Sequence, residues 1–365
     1  MKPSVCHLTS VHPVFDTRIF YKECVSLAKA GWNVMLIAKT EKEQIVEGVK
    51  LLPFYKYKNR LMRILFSPIK MFFMAKEQKA DIYHFHDPEL LVTGLILRLF
   101  TRSKVIYDIH ENYTKTISDS RWIKFKIGRL IISKIFKCFE AVACRLMSAN
   151  IVVLPEWLSR YPRAILVRNY PILEKIDERS REDIFVYVGV IGKERSGLEM
   201  TLIFLELLKL MPGIHFKIVG LFWEKETEKE IMGIIDNHQN ISFLGYRPFP
   251  EVRKILAKSK YGFVLYSSNK YLDNIPVKMF EYLANGVIPI YSSFKGFKYE
   301  MEKEGWGIGI NPKHPPKAAQ KLYDIISDSA KMKALYKSLK TYRKKYNWES
   351  EEQRLLDIYG KLIEN

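Results

Sequence analysis

The stretch IFVYVGVIGKERSGLEMTLIFLELLKLMPGIHFKIV, residues 184–219, contains one complete structural unit. Ile184–Val188 is a β-branched and aromatic run, Leu198–Leu210 has the length and apolar content of a helix, and His215–Val219 is a second run of strand character. Strand, helix and strand in this order make a βα crossover, the building block of a parallel sheet. The alternation continues towards the C-terminus, with strands predicted at Ile241–Leu244, Tyr261–Leu265 and Ile288–Tyr291 and helices at Lys225–Asp236, Pro250–Leu256 and Pro276–Ala284. It also fills the N-terminal half, with strands at Val5–Leu8, Val34–Ala38, Val49–Leu52, Asp81–His84, Lys104–Ile109, Ile151–Leu154 and Ile165–Val167. The first helix there takes Asp16 or Thr17 as N-cap, runs through Ala28 and stops at Gly31, which suits a left-handed C-terminal position.

Between the two series, Asn169–Asp183 has Pro171 and alternating charges but little apolar periodicity, which marks a domain boundary. The expected fold is therefore α/β, with two Rossmann-like doubly wound domains facing across a cleft. The predicted boundaries are 1–168 and 169–345, followed by a C-terminal helix at 346–365 that packs back towards the first domain. Doubly wound sheets bind ligands beyond the carboxyl ends of their strands, so functional residues are expected in the loops that follow strands.

Composition limits the function. The 365 residues are 48% hydrophobic and 27% charged, which excludes a disordered or collagen-like chain. Fifty-nine Lys+Arg against 40 Asp+Glu leave a net charge of +19, so an anionic partner is expected. Residues 1–170 hold 28 of the basic and 14 of the acidic side chains, so most of the excess lies in the first half. Cys6, Cys24, Cys138 and Cys144 have neither CxxC nor metal-ligand spacing, which predicts free thiols in a reducing compartment. No stretch reaches the ~18 uncharged apolar residues of a membrane span. The short apolar stretch after Met1-Lys2-Pro3 contains His7 and does not resemble a cleaved signal, so a cytoplasmic location is expected.

The densest chemical signal is Asp273-Asn274-Ile275-Pro276-Val277-Lys278-Met279-Phe280-Glu281-Tyr282-Leu283-Ala284-Asn285-Gly286. Asn274 can cap a helix, Pro276 suits its first turn, and Gly286 ends it. Backbone N–H groups at such a start, with Lys278 in the first turn, attract a phosphate, and Glu281 three residues on can accept two ribose hydroxyls. Spacing alone admits an ordinary Lys–Glu surface pair equally well.

The run Pro276-x-Lys278-x-Phe280-Glu281-Tyr282-x-Ala284-x-Gly286-x-x-Pro289 resembles the donor-binding signature of GT-B glycosyltransferases of family 4. His12-Pro13-x-x-Asp16-x-Arg18-Ile19-x-x-Lys22-Glu23, His84-x-His86-Asp87-Pro88-Glu89-Leu90, Tyr107-Asp108-x-His110-Glu111, Arg168-Asn169-Tyr170-Pro171 and Phe243-Leu244-Gly245 resemble segments of members that build bacterial surface polysaccharides. The resemblance implies a retaining transferase whose C-terminal domain holds a nucleotide-diphosphate sugar and whose N-terminal domain holds a saccharide acceptor, of the lipid-linked kind in that group. It implies ribose binding by Glu281, diphosphate binding by Lys278 and Arg195, with Lys193 as a further phosphate candidate, and a place for His110 beside the donor sugar. A satisfied structural histidine is the other reading of His110. Gly245 and Asn274 belong to the donor-side set. Asp16, Arg18, His86 and Glu111, with Asp87 and Glu89, are acceptor-side candidates that could equally be caps or ion pairs. Two positions depart from the family pattern: Asp273 stands where the first of two paired glutamates is usual, and Val190 where a second basic residue is usual. The chain has no D-x-D pair, so neither a metal nor any cofactor beyond the donor substrate is expected.

Arg121, Lys124, Lys126, Arg129, Lys134 and Lys137 are interleaved with Trp122, Ile123, Phe125, Ile127, Leu130, Ile131, Ile132, Ile135 and Phe136 and with no acidic residue. At helical spacing these apolar residues form two stripes, one for the core and one for a lipid headgroup region. Arg60–Lys76 repeats the theme. The expected anionic partner of the first half is therefore a membrane surface, with the protein peripheral on its inner face, and not nucleic acid, for which no zinc-finger, RNA-recognition or Walker A pattern is present. A nucleotide-sugar epimerase of the same architecture is the rival enzyme.

Overall fold

The computed structural model describes residues 2–364 except 56, 58, 120–124, 174, 176, 178–180, 269–274, 294–300, 302–304 and 306. It divides into two compact units, residues 1–169 with 350–365 and residues 170–349.

In the first unit β1 (Ser4–Pro13) leads through a π-helical turn, Ile19–Cys24, into α1 (Val25–Lys29). There follow β2 (Asn33–Lys39), β3 (Gln44–Val46), β4 (Val49–Pro53), α2 (Arg60–Glu77), β5 (Ile82–Phe85), α3 (Leu91–Phe100) and β6 (Lys104–Ile109). The series ends with α4 (Tyr113–Ser118), α5 (Lys126–Leu146), β7 (Ala149–Val152) and β8 (Ala164–Leu166). The sheet order is β3-β4-β2-β1-β5-β6-β7-β8, parallel except for the β3–β4 hairpin. The chain winds outward in opposite directions from β1 and β5, so their carboxyl ends flank the crevice at which such sheets bind ligands.

The second unit holds β9 (Glu182–Val188), α6 (Gly197–Leu210), β10 (His215–Val219), α7 (Lys225–Ile235), β11 (Ile241–Gly245), α8 (Phe249–Lys258) and β12 (Ser259–Val264). After these come α9 (Val277–Ala284), β13 (Ile288–Ser292), β14 (Ile308–Ile310), α10 (Pro315–Ile326) and α11 (Ser329–Lys345). Its sheet is fully parallel, in the order β11-β10-β9-β12-β13-β14, and reverses direction between β9 and β12. A last helix, α12 (Trp348–Glu364), contributes residues from Ser350 onward to the first unit.

Each predicted strand is present, with ends displaced by a few residues. β1 runs past Leu8 to Pro13 because Asp87 accepts hydrogen bonds from Thr9 Oγ1 (2.9 Å), Ser10 N (2.5 Å) and Val11 N (3.2 Å), holding a polar segment in extended form. β3 and β14 were not expected: three residues each are too few to show a period, and β14 has Gly309 at its centre. Asp16 is the predicted cap, accepting from Arg18 N (2.8 Å) and Ile19 N (3.0 Å), and Gly31 has φ +92°. α9 starts at Val277 with Pro276 as its N-cap, and Gly286 (φ +69°) ends it. Asn274 and Asp273 lie outside the described residues.

The basic apolar helix departs from expectation more. Arg121, Trp122, Ile123 and Lys124 lie outside the described residues, and α5 begins at Lys126. Members of both predicted stripes face outward: Ile127, Leu130, Ile131, Ile132 and Ile135 are all exposed, while the buried side is Ser133, Glu140, Ala143 and Cys144. Small residues let α5 lie close on the unit, so its large side chains are left outside.

Candidate functional site

In the second unit the reversal between β9 and β12 gathers the predicted cations. Beyond Val188 the chain turns at Gly189, whose φ is +135°, and reaches a 3-10 turn at Lys193–Arg195. A Cβ on Gly189 would stand 2.9 Å from Lys278 Nζ, so glycine is what allows α9 to bring its lysine to this strand end. The ammonium lies 3.8 Å from the centroid of the Tyr187 ring, and the Arg195 guanidinium stacks 4.7 Å from that of Tyr266 while donating to its hydroxyl. Burial and the neighbouring Arg195 charge lower the Lys278 pKa to about 7 against the opposing pull of Glu281. Two cationic side chains kept this close, in apolar surroundings, form a receptor for a multiply charged anion.

The other donor-side candidates divide. Glu281 is half-buried on α9, near enough to act electrostatically on Lys278. Lys193 instead pairs with Glu226 at 2.5 Å, with its side chain 60% exposed. Gly245 closes β11 with φ +66° and accepts from Gly220 N at 2.9 Å, a backbone role. Val190 is exposed, so a position that carries charge in the family pattern is apolar surface here.

In the first unit the crevice beside β1 and β5 is lined by polar groups. Asp108, at the end of β6, accepts from Arg18 Nε (2.8 Å) and Nη2 (2.9 Å) and lies 3.2 Å from the Nδ1 atoms of both His86 and His110. Burial opposes its ionisation, but Arg18 and then His110 outweigh it and hold the carboxyl well below its usual range. Glu23, 3.0 Å from Arg18 Nε, behaves oppositely: burial and then the Asp108 charge push its carboxyl well up.

Behind these lie His7 and His84, which β1 and β5 set opposite each other in register. His7, His84 and His86 are fully buried, and burial depresses the basicity of all three. His110 meets His12, with Nε2 atoms 3.4 Å apart, and His12 also approaches Asp16 (3.6 Å) and Asp87 (3.4 Å). Those carboxylates and Glu111 overcome the effect of burial and raise the His12 pKa. Of the acceptor-side candidates, Asp16 and exposed Glu111 therefore act on His12, whereas Arg18 and His86 are buried and meet at Asp108.

Sequence reasoning missed His7, His12, His84, Asp108 and Tyr359 as members of this group. Two-residue alternation places His84, in β5, and His86, just past its end, on one face, but nothing local joins them to His7 or to a tyrosine near the C-terminus. Donor atoms of His7, Glu23, His84 and His86 lie within 4.8 Å of one another, as do those of His86, Asp108 and His110, spacings that a metal ion could use.

Residues 171–345 match the family described as Glycosyl transferases group 1. No curated protein sequence matches the chain. Among solved structures, the chain is similar to the sucrose-phosphate synthase of Thermosynechococcus elongatus (TM-score 0.70, 16% identity, 99% of both chains). It is also similar to Anabaena Alr3699/HepE in complex with UDP-glucose (TM-score 0.68, 13% identity, 98% of this chain and 99% of that one). A third is WaaG, a glycosyltransferase involved in lipopolysaccharide biosynthesis (TM-score 0.66, 13% identity, 97% and 99%). The chain has the fold of GT-B glycosyltransferases, and the match to the Glycosyl transferases group 1 family covers the unit that brings Lys278 to Arg195.

Proposed function

We propose that the chain is a retaining glycosyltransferase of family 4 type, moving a sugar from a nucleotide diphosphate to a hydroxyl of a lipid-linked saccharide in surface polysaccharide synthesis. The observation that carries this reading is the pairing of Lys278 with Arg195 at the strand-order reversal of the group 1 domain. When the glycosidic bond breaks, negative charge develops on the leaving diphosphate, and cations fixed in advance at that point stabilise the transition state. Glu281 takes the ribose hydroxyls, and His110 a hydroxyl of the donor sugar. The acceptor hydroxyl attacks from the face that the leaving group departs, giving up its proton to the departing phosphate, and no metal takes part.

The test is thermal stabilisation by a panel of nucleotide sugars, repeated with Glu281→Ala and Lys278→Ala. One sugar nucleotide should raise the melting temperature of the parent and have little effect on either variant, with or without EDTA. Equal stabilisation of the parent and both variants would place the nucleotide elsewhere, and consumption of the donor without an acceptor would indicate an epimerase.

The membrane part of the proposal rests on the outer faces of α2, α3 and α5. α3 packs against both other helices, so Leu61, Leu65, Phe73, Leu99, Phe100, Ile127 and Ile135, each at least 60% exposed, belong to neighbouring helices. Exposed Lys126, Lys134 and Lys137 flank them, a combination suited to the headgroup region of an anionic leaflet. Among the described residues no helix is long and apolar enough to cross a membrane. Vesicles containing phosphatidylglycerol should retain the protein at low salt. Reversing Lys126, Lys134 and Lys137 to Glu should weaken binding by at least about 10²-fold, at ~1 kcal/mol per cation. Unchanged retention of this triple variant would exclude docking through α5.

A further inference from the structure

Glu23 is fully buried, yet neither of its carboxylate oxygens has a hydrogen-bond partner. Arg18 Nε lies 3.0 Å from Oε1 but directs its single N–H to Asp108 Oδ2, at 2.8 Å. Oε2 faces three imidazoles: it is 3.9 Å from His7 Nδ1, 3.9 Å from His84 Nδ1 and 3.8 Å from His86 Nε2. These distances are too long for hydrogen bonds and nearly equal, so the oxygen stands over the three nitrogens as the apex of a pyramid. A buried carboxylate without a donor is costly, and an orphan of this kind calls for a partner.

The spacing fits a metal ion. A tetrahedral zinc bonded at ~2.0–2.1 Å holds its ligand atoms about 3.3–3.4 Å apart. Here His7 Nδ1 and His86 Nε2 are 3.0 Å apart and the carboxylate edges are 3.8–3.9 Å, on either side of that value, with donor atoms of all four residues within 4.8 Å of one another. A hydrogen bond accounts for one of these contacts, that between His7 and His86; an ion at the centre accounts for all of them. The surrounding groups also hold the rings as metal ligands are held. Asp108 accepts from His86 Nδ1 at 3.2 Å, which leaves Nε2 bare towards Glu23, and a carboxylate in this position orients a ligating histidine and raises its basicity. His7, bound through Nδ1, donates from Nε2 to the Tyr359 oxygen at 3.3 Å, and His84 exchanges its 2.6 Å hydrogen bond with the same hydroxyl for the metal. Only the fold unites these residues: His7 is on β1, His84 and His86 are in β5 and just past its end, and Glu23 is on the π-helical turn, an irregularity that recurs at functional sites.

We propose that His7, Glu23, His84 and His86 bind one zinc ion in a structural site within the first unit. Three imidazoles and one carboxylate at tetrahedral spacing suit zinc, whereas calcium and magnesium take more ligands, nearly all of them oxygen. Four protein ligands leave no open position, so the ion ties β1, β5 and the π-helical turn together and takes no part in sugar transfer. The proposal is independent of the transferase reading.

Full-length protein made without a metal-affinity tag, in cells supplied with zinc, tests it. Elemental analysis after dialysis against metal-free buffer should find about one zinc per chain. X-ray absorption at the zinc edge should show nitrogen and oxygen neighbours with the outer-shell scattering of imidazole. Absence of zinc overturns the proposal, and so does a sulfur neighbour at ~2.3 Å, which would assign the ion to cysteine. Glu23→Gln and His84→Gln should each lower the bound zinc at least about tenfold, since removal of even an outer partner of a ligand costs that much affinity. His110→Gln should keep it. Retention of zinc by either ligand variant, or its loss from folded His110→Gln, also overturns the proposal, the latter by placing the ion among His86, Asp108 and His110. If the ligand variants do not fold, the stoichiometry and absorption spectrum of the parent decide.

Discussion

A Lys278→Ala variant should lose about 10²- to 10³-fold in kcat, the usual cost of removing one fixed charge-stabilising group from a transition state. The loss in kcat adds to the weaker nucleotide binding, because charge on the leaving diphosphate is greatest as the glycosidic bond breaks. A second consequence concerns protons. The ammonium lies over Tyr187 and within electrostatic reach of Arg195 and Glu281, and with a pKa of about 7 it is largely neutral at pH 8. A diphosphate favours the charged form, so binding takes up a proton, and affinity should fall as pH rises above 7, approaching tenfold per unit. Calorimetric titration of UDP between pH 7.5 and 9, in two buffers of different ionisation enthalpy, measures that uptake. Lys278→Ala should abolish it, whereas proton uptake persisting in the variant would assign the effect to another group.

Gly220→Ala should destabilise the second unit by about 4 kcal/mol or more, among the largest effects of a single substitution. Gly220 has φ +146°, and a Cβ there would lie 1.8 Å from the carbonyl oxygen of Gly189. No rotamer change relieves a clash between backbone atoms, so the loop after β9 would have to move, and with it the contact of Gly189 with Lys278. Gly233→Ala is the matched control: it lies within α7 with nothing near its Cβ, and it should stabilise by ~0.5–1 kcal/mol through helix propensity. Thermal melts of the two variants should therefore shift in opposite directions, and a Gly220→Ala protein melting like the parent would contradict the described loop.

The features legible in the sequence were local. The strands of both sheets, the stop at Gly31, the end of α9 at Gly286 and the proximity in sequence of Lys278 and Glu281 all follow from hydrogen-bonding patterns and side-chain periods that repeat within a dozen residues. Lys193, which its spacing puts beside Arg195, pairs instead with Glu226 on α7, a partner no local pattern shows. Local reasoning divided α5 wrongly, because a stripe of large apolar residues looks the same whether it packs on a core or faces outward. Ser133, Ala143 and Cys144 decide that orientation, through how closely the helix can approach.

The sequence by itself determined two series of βα units and a lysine, an arginine and a glutamate of the kind a nucleotide diphosphate requires. Only the tertiary structure decided what these residues face. Parallel pairing of β1 with β5 joins His7 to His84 and His86, and Tyr359 enters from the opposite end of the chain to complete the row. Strand register and the docking of a distant helix are set by the burial of whole surfaces, which no short segment encodes.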